Sequence, residues 1–225
     1  MTSIFVGIPC ATAKAYTGHI ISLIKLSQLC KDKGIDFTVY YENAISIIHH
    51  ARNKIVKQFL DSNFDILLFI DDDIEFNPED ILKMINYIET GDHDIIGGIY
   101  PYKYYNWQDI RNGNNGLNFV FTNPPENIHI RPMDTPQEVD GIGTGYMMIS
   151  KRVFTKMINT GTSIYEMYAI QYYKFFDIVV ENEKLNGEDY FFCKKWKELG
   201  GKIEIISTAL AIHWGAHQYG KHTML

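Results

Sequence analysis

The first hundred residues alternate between short apolar runs and longer segments with helical periodicity. Strands are predicted at residues 3–8, 36–42, 65–70 and 93–100. The segments between them predict amphipathic helices, since apolar residues such as Ile20, Leu23 and Ile24 recur at helical spacing. The run ILLFI within the third strand is wholly apolar, which is typical of a central parallel strand covered on both faces. This alternation predicts an α/β fold with a doubly wound open sheet, whose ligands bind beyond the carboxyl ends of the strands.

The second half of the chain has a different pattern. Turn-rich stretches between residues 111 and 134 indicate loops and short antiparallel strands. A glycine-rich loop, GIGTG (141–145), a strand at 146–150 and a helix opening at GED (187–189) follow. Aromatic residues crowd the segment 162–182, which could be either core or a wall for an acceptor. Since no repeat, low-complexity stretch or linker interrupts the sequence, we predict one domain over residues 1–225.

Charge and composition narrow the class of protein. The 225 residues carry a formal net charge of −6, which argues against a nucleic-acid binder with a basic face. Three widely spaced cysteines match neither a disulfide framework nor a zinc pattern, so we expect buried, reduced thiols. The N-terminus lacks a signal-peptide pattern, and no apolar stretch reaches the length of a membrane span. We therefore expect a soluble, cytoplasmic protein.

Three consecutive aspartates, Asp71 to Asp73, follow the predicted strand at 65–70. Asn77 and Pro78 already provide the N-cap and the first position of the next helix, so the aspartates are not needed for capping. One interpretation is a solvated turn, because loops favour aspartate. The other is a site for a hard divalent cation, which would offset the repulsion between the carboxylates. The sequence has no phosphate-binding glycine loop, so a metal ion would have to hold the phosphates of any bound nucleotide.

Four segments of the sequence, taken in order, resemble one enzyme family. They are HHARN (49–53), the apolar strand ending in Asp-x-Asp (66–73), NGEDYFF (186–192) and AIHWGAH (211–217). Together they resemble GT-A-fold glycosyltransferases that use nucleotide-sugar donors, and in particular compact single-domain members encoded by large DNA viruses of algae. The resemblance covers nearly the whole chain. It implies a Rossmann-like GT-A fold, with residues 1–100 as the nucleotide-binding half and residues 101–225 as the sugar- and acceptor-binding half.

The resemblance also implies a metal centre at the Asp-x-Asp motif. Asp73 would ligate the cation, Asp71 would contact the donor ribose or reach the metal through water, and Asp72 would touch the nucleotide or only solvent. His213 matches the late histidine that completes this site, although a histidine at a strand end is also a common core residue. An imidazole–carboxylate ligand set favours Mn²⁺ over Mg²⁺. Weaker candidates lie further along the chain, at His217 and His222.

The acidic pair at the start of a predicted helix resembles the motif that supplies the catalytic base of inverting members. Asp189 would remove the proton of the acceptor hydroxyl. Glu188 is the second candidate, and would otherwise bind acceptor hydroxyls. The alternative is that both acids only complement the macrodipole of the helix.

Two early segments are assigned to the donor nucleotide. Arg52 and Asn53 match the Arg-Asn pair that faces the nucleotide in this family, although a solvated helix face is the alternative. Pro9, at the end of the first strand, matches the position where the first loop lines the base.

Two later segments are assigned to the phosphates and the transferred sugar. Lys103 follows a strand that ends beside the site, where its ammonium group could meet a phosphate. Gly143 and Gly145 resemble the loop beneath the transferred sugar, with backbone amides that the glycines leave exposed. Ordinary tight turns are the alternative for these glycines.

We therefore expect a metal-dependent, inverting glycosyltransferase. It would move a hexose from a nucleoside-diphosphate sugar, with a UDP-sugar such as UDP-glucose favoured, to a hydroxyl group of a glycan or glycoprotein. A retaining enzyme on the same fold and a non-catalytic module that binds carbohydrate or nucleotide sugar are the alternatives. A nucleotidyltransferase is disfavoured, because residues 7–18, GIPCATAKAYTG, lack its glycine-rich and basic first loop.

Overall fold

The structure is a computed structural model that describes residues 2–122 and 132–220. The helices of the described residues are α1 (Thr17–Lys33), α2 (Ile48–Leu60), α3 (Pro78–Glu89), α4 (Trp107–Arg111), α5 (Lys151–Asn159) and α6 (Glu188–Glu198). The strands of the first half are β1 (Ser3–Cys10), β2 (Asp36–Asn43), β3 (Ile66–Ile70), β4 (Ile74–Glu75) and β5 (Ile95–Ile99). Those of the second half are β6 (Phe121–Thr122), β7 (Gln137–Val139), β8 (Gly141–Ile142), β9 (Tyr146–Ser150), β10 (Ile164–Met167), β11 (Ile170–Tyr173), β12 (Val179–Glu181), β13 (Lys184–Asn186), β14 (Ile203–Leu210), β15 (Ile212–Trp214) and β16 (Gln218–Tyr219).

Seven of the described strands form the central sheet, in the order β2-β1-β3-β9-β5-β14-β7. Strands β2, β1 and β3 are mutually parallel, and β5 and β14 are parallel to each other. The antiparallel members are β9, which lies between β3 and β5, and β7 at the edge beyond β14. The predicted α/β class, with a mostly parallel sheet and an antiparallel part from the second half, is confirmed.

Helices cover the sheet on both faces. Helices α1 and α3 pack on one face, where Leu26 and Met84 meet the inward side chains of β1 and β3. Helices α2, α5 and α6 pack on the other, around Phe59, Phe154 and Trp196. Because both faces are covered, all five residues of β3 are buried, as its apolar sequence predicts.

Local sequence signals set the ends of these helices. Gly34 ends α1 in the left-handed conformation, with φ of 68°, and its amide donates to the last turn. The Asn77 side chain accepts a hydrogen bond from the Glu79 amide at 3.3 Å, and Pro78 occupies the first turn of α3. The start of α3 at Asn77 and Pro78 agrees with the sequence prediction, and Gly34 is the residue type that favours a left-handed helix end.

The late strands differ from the sequence expectation. The sequence predicts a strand at residues 202–206 and a last strand and turn at residues 209–217, whereas β14 runs through Ile203–Leu210 and β15 turns out of the central sheet. The register between β14 and β5 shifts between Ile205 and Leu210, and such an irregularity bends a strand. Strand β15 then pairs with β4 and β16 in a separate three-stranded sheet. The helix α4 has no counterpart in the prediction.

The aromatic segment 162–182 forms two hairpins, β10–β11 and β12–β13. Tyr172, Phe175 and Phe176 are buried, and the two phenylalanines belong to the core beneath α2 and α6. These three rings are therefore core.

Cys10, Cys30 and Cys193 are buried and unpaired, as predicted. Across the described residues, none of the helices combines the length and apolar character needed to cross a membrane. The predicted loops at 123–131 and the candidate His222 lie outside the described residues.

Candidate active site

The three aspartates form a turn at the carboxyl end of β3. The turn is fixed by its backbone: the Asp71 amide donates to the Gly145 carbonyl at 3.2 Å, and the Ile74 amide donates to the Asp71 carbonyl at 3.1 Å. The Tyr16 amide, at the start of α1, donates to the Asp72 carbonyl at 3.0 Å. The aspartates therefore lie where an open α/β sheet binds its ligands.

Strand β15 brings His213 to this turn. Its residues Ile212 and His213 pair with Glu75 and Ile74 of β4, and the Trp214 amide donates to the Asp73 carbonyl at 2.8 Å. The Trp214 indole donates to Glu75 Oε2, also at 2.8 Å. Backbone pairing and a side-chain bond together hold the late histidine beside Asp73, so the two predicted ligands meet.

When the His213 ring is neutral, its atom facing Asp73 is an electron-pair donor, as is the carboxylate oxygen. His213 Nδ1 lies 2.8 Å from the Pro101 carbonyl, which can only accept, so in the neutral ring the proton is on Nδ1 and Nε2 carries a lone pair. That Nε2 lies 3.3 Å from Asp73 Oδ1, a buried oxygen that makes no hydrogen bond with any described residue. A lone pair facing a carboxylate needs a proton or a cation between them. The pair therefore fits a divalent metal ion, and the bond to Pro101 orients the imidazole as in many metal sites.

The predicted three-residue ligand set is not assembled. Among residues 2–122 and 132–220, no three His, Cys, Asp or Glu side chains are grouped as they would be around a metal ion. Asp71 is instead engaged by Arg52 at 3.1 Å. The protein would thus hold a cation through Asp73 and His213, and the remaining ligands would come from the donor phosphates and water.

Lys103 supplies positive charge at the same place. Its ammonium group is hydrogen-bonded to Asp73 Oδ2. Burial works to raise the pKa of Asp73, but His213 and Lys103 outweigh it and hold that pKa below its ordinary value. We predicted that Lys103 meets a donor phosphate, whereas the structure pairs it with the carboxylate.

Arg52 is the buried centre of an ion-pair network. It is only 3% exposed, its Nη2 donates to Asp71 Oδ1 and its Nε donates to Glu188 Oε1, both at 3.1 Å. The guanidinium also lies over the Phe69 ring, 5.4 Å from the centroid. The third nitrogen, Nη1, is buried and has no hydrogen-bond partner among the described residues. A solvated helix face is excluded for Arg52, and the network joins the Asp-x-Asp turn to the start of α6.

Asn53 requires a correction. Its side chain is 1% exposed, and it accepts hydrogen bonds from the Phe175 and Phe176 amides at 3.1 and 2.9 Å. The amide nitrogen donates to the Phe176 carbonyl at 2.8 Å and to the Tyr165 hydroxyl. Because every polar atom of Asn53 is engaged, it ties α2 to the segment after β11 and cannot contact a donor.

The glycine loop also differs from the prediction. The Gly143 amide donates to the Val120 carbonyl at 3.3 Å, and the Gly145 amide donates to the Tyr100 hydroxyl at 3.1 Å. Neither amide is therefore exposed for a sugar. A Cβ atom at Gly145 would lie 2.7 Å from that hydroxyl and 2.8 Å from Asp71 Oδ2, so glycine is needed for the close packing of the loop.

Two cavities lie on either side of this network. The larger has a volume of about 720 Å³, and its lining includes Pro9, Arg52, Asp71, Asp72, Asp73 and Trp214. The smaller, of about 170 Å³, is lined by residues that include Tyr102, Gly143, Asp189 and Tyr190. Of the predicted donor residues, Pro9, Arg52, Asp71 and Asp72 thus face one space, whereas Gly143 faces the other together with the predicted base Asp189.

The two acids at the start of α6 have different surroundings. Glu188 is bound to Arg52, whereas the Asp189 carboxylate accepts only the adjacent Tyr190 amide, at 2.7 Å, among the hydrogen bonds of the described residues. Burial and the neighbouring Glu188 charge raise the pKa of Asp189. A carboxylate with a raised pKa beside a cavity is suited to accept a proton.

Sequence reasoning missed Tyr100, Tyr102 and Trp214. Tyr100 is the last residue of the predicted strand at 93–100, Tyr102 precedes Lys103 and Trp214 follows His213, so the available signal was their closeness in sequence to predicted site residues. Tyrosine and tryptophan are common core residues, so their presence in a sequence does not by itself indicate a functional site. Their contacts with Gly145 and Glu75 come from folding.

Comparison with known proteins identifies the family. The family profile described as Glycosyl transferase family 2 matches residues 25–157, which is more than half of the chain. The chain belongs to glycosyl transferase family 2. It is therefore a glycosyltransferase with a GT-A fold, and this activity implies a nucleotide-sugar donor and an acceptor. No curated protein matches the sequence.

Three solved structures resemble this glycosyltransferase. A197 from STIV has a TM-score of 0.58 and 18% identity over 96% of this chain and 86% of its own, which shows a shared fold. A glycosyltransferase involved in the glycosylation of the major capsid of PBCV-1 has a TM-score of 0.36 and 14% identity over 68% of this chain and 62% of its own. GalNAc-T7, solved with UDP, GalNAc and Mn²⁺, has a TM-score of 0.49 and 11% identity over 95% of this chain and 44% of its own. This chain thus spans less than two thirds of the length of the last two proteins.

Proposed function

We propose that this family 2 enzyme is a metal-dependent, inverting glycosyltransferase. It transfers a hexose from a nucleoside-diphosphate sugar, with a UDP-sugar favoured, to a hydroxyl group of a glycan or glycoprotein. The observation that carries the proposal is the placement of His213 Nε2 3.3 Å from the buried Asp73 Oδ1, beside a cavity of about 720 Å³ that Asp73 lines. This pair is an imidazole–carboxylate set, which favours Mn²⁺ over Mg²⁺.

A cation held by Asp73 and His213 would neutralise the diphosphate and so stabilise it as a leaving group. The chain's own residues do the rest. Pro9 and Asp72 line the cavity that takes the nucleoside, and the Arg52 guanidinium keeps Asp71 in place at its wall.

Asp189 is the proposed base for the transfer. The acceptor hydroxyl oxygen forms a bond to the anomeric carbon, the bond from that carbon to the diphosphate breaks, and its electron pair leaves with the diphosphate. The hydroxyl proton passes to Asp189. Of the two acids, Asp189 is the better base because Glu188 is committed to Arg52. A role in complementing the macrodipole of α6 would not by itself explain why Asp189 lies beside a cavity.

Donor binding is tested by the thermal shift that a panel of nucleotide sugars produces with and without Mn²⁺. We expect one donor class to stabilise the wild-type protein in a Mn²⁺-dependent manner, and Asp73→Ala to lose that dependence. Asp92→Asn is the matched control, because it removes an exposed carboxylate that lines neither cavity. An unchanged Mn²⁺-dependent shift in Asp73→Ala would refute the proposed metal site.

The stereochemical course separates inversion from retention. The anomeric configuration of the product, read by NMR against that of the donor, is expected to be inverted. A product with retained configuration would assign the retaining alternative and remove the need for a carboxylate base.

A further inference from the structure

Exposed aromatic rings continue outward from the Asp189 cavity. Tyr102 and Tyr190 line the cavity and are each 41% exposed. Tyr104 and Trp107 follow on the same segment and are 52% and 65% exposed. Large aromatic side chains are mostly hidden in a folded domain, so a group of them at the mouth of a site marks a binding surface.

These rings are held in place by contacts that leave their outer faces open. Tyr102 and Tyr104 stack with centroids 5.4 Å apart and an interplanar angle of 27°. The Tyr102 amide donates to the Asn118 carbonyl at 2.8 Å. Tyr105, between Tyr104 and the α4 residue Trp107, packs against Tyr219 with centroids 5.2 Å apart. The surface is thus arranged before any ligand binds, which lowers the entropy cost of binding.

The chemistry of the cavity selects the kind of acceptor. The described residues that line it include one carboxylate, Asp189, and no lysine or arginine. Among these described residues, a phosphorylated or otherwise anionic acceptor would find no counter-charge. A neutral molecule with hydroxyl groups on its edges and an apolar C–H face suits both the carboxylate and the rings, and a pyranose ring has this form.

We propose that Tyr102, Tyr104 and Trp107 form a platform for a neutral oligosaccharide acceptor. The terminal sugar ring enters the cavity of about 170 Å³ and presents its hydroxyl to Asp189, while preceding rings lie on the exposed aromatic faces. This inference rests on the proposed function, since it names the acceptor of the same transfer. It assigns the acceptor to glycans, as opposed to unglycosylated protein.

The test compares Tyr102→Ala/Tyr104→Ala with the wild type. The probes are neutral gluco-, manno-, galacto- and xylo-oligosaccharides, offered with the nucleotide sugar that the thermal-shift panel selects. We expect transfer to at least one oligosaccharide series, and a KM for that acceptor about tenfold higher in the double variant, since two aromatic faces are removed. Tyr102→Phe/Tyr104→Phe, which keeps both rings, is expected to restore the wild-type KM.

Ile24→Ala is the control. This isoleucine of α1 is a large apolar side chain that is 64% exposed and lines neither cavity, so its loss should leave the acceptor KM unchanged. Equal KM values in the double variant and the wild type would overturn the platform, as would transfer only to a serine- and threonine-containing peptide. Absence of any donor-induced thermal shift in the wild type would instead overturn the proposed function itself, so the two failures are distinguishable.

Discussion

The two cavities are built in different ways. The proposed donor cavity is bounded by the ends of central strands, by the segment 11–17 and by Arg52, a buried cation with two ion pairs. The Asp189 cavity is bounded by short strands, a loop and exposed tyrosines from the second half of the chain. Burial fixes Arg52 in the first wall, whereas Tyr102 and Tyr190 of the second wall are exposed. We therefore expect a substitution on the donor side to lower both activity and the free energy of unfolding. A substitution on the acceptor side should lower activity with less effect on the free energy of unfolding.

The largest effect is expected on the acceptor side, where Asp189→Asn should abolish most of the transfer activity. The amide cannot take the hydroxyl proton, so transfer should fall by about 10²- to 10⁴-fold, the usual contribution of a general base. Donor affinity, measured by calorimetry, should match the wild type because Asp189 does not line the donor cavity. Full transfer activity in this variant would remove Asp189 from the mechanism.

On the donor side, Arg52→Ala should lower the stability of the fold. Its loss leaves the Asp71 and Glu188 carboxylates without their shared cation, and breaking a buried pair costs about 3–5 kcal/mol of unfolding free energy. Urea denaturation measures the loss. Lys57→Ala, which removes an exposed i,i+4 pair with Asp61 on the same helix, is the control and should change stability by less than about 1 kcal/mol. Equal effects of the two substitutions would contradict the proposed coupling.

Asn53→Ala sharpens the contrast between two adjacent residues. Removal of its amide leaves buried backbone groups at Phe175 and Phe176 unpaired, which should cost about 1–3 kcal/mol in unfolding free energy. The donor dissociation constant of the folded variant should equal that of the wild type. A large rise in that constant would restore Asn53 to the donor site.

The smallest expected effect is a shift in the acid limb of the pH profile of kcat/KM when Glu188 is replaced. Transfer needs ionised Asp189, so activity falls as pH drops through its pKa, which burial and Glu188 raise above the ordinary value. In Glu188→Gln the neighbouring negative charge is gone, the pKa of Asp189 falls, and the limb of kcat/KM moves to lower pH. A limb that stays in place, or moves to higher pH, would show that Asp189 is not the titrating group.

Much of the fold could be predicted because the spacing of apolar residues indicates which face of a helix or strand is buried. The central strands, the helix start at Asn77 and the helix end at Gly34 are local features. The placement of β9 between β3 and β5 is not local, and neither is the departure of β15 from the central sheet. Nothing in a single sequence states which strand will be the neighbour of another.

The site was predictable at the level of residue type and less so at the level of contacts. Asp73 and His213 carry metal-binding chemistry, and the structure brings them together. Arg52 and Asn53 are adjacent and equally polar, yet one binds two carboxylates and the other binds backbone. Helical spacing indicates which face a residue occupies, but the partner it meets there depends on segments more than a hundred positions away.

The junction between β4 and β15 has a consequence for the order of folding. Trp214 and Glu75, whose side chains bond across it, are 139 positions apart in the chain. Closing a loop of that length has an entropic cost that only the assembled domain can offset, so we expect the two atoms of the proposed cation site to meet late. Affinity for a divalent ion would then appear only with the native state, and the ion would stabilise that state in proportion to the logarithm of its concentration. Metal titration during refolding would therefore report the final docking of the chain and not its initial collapse.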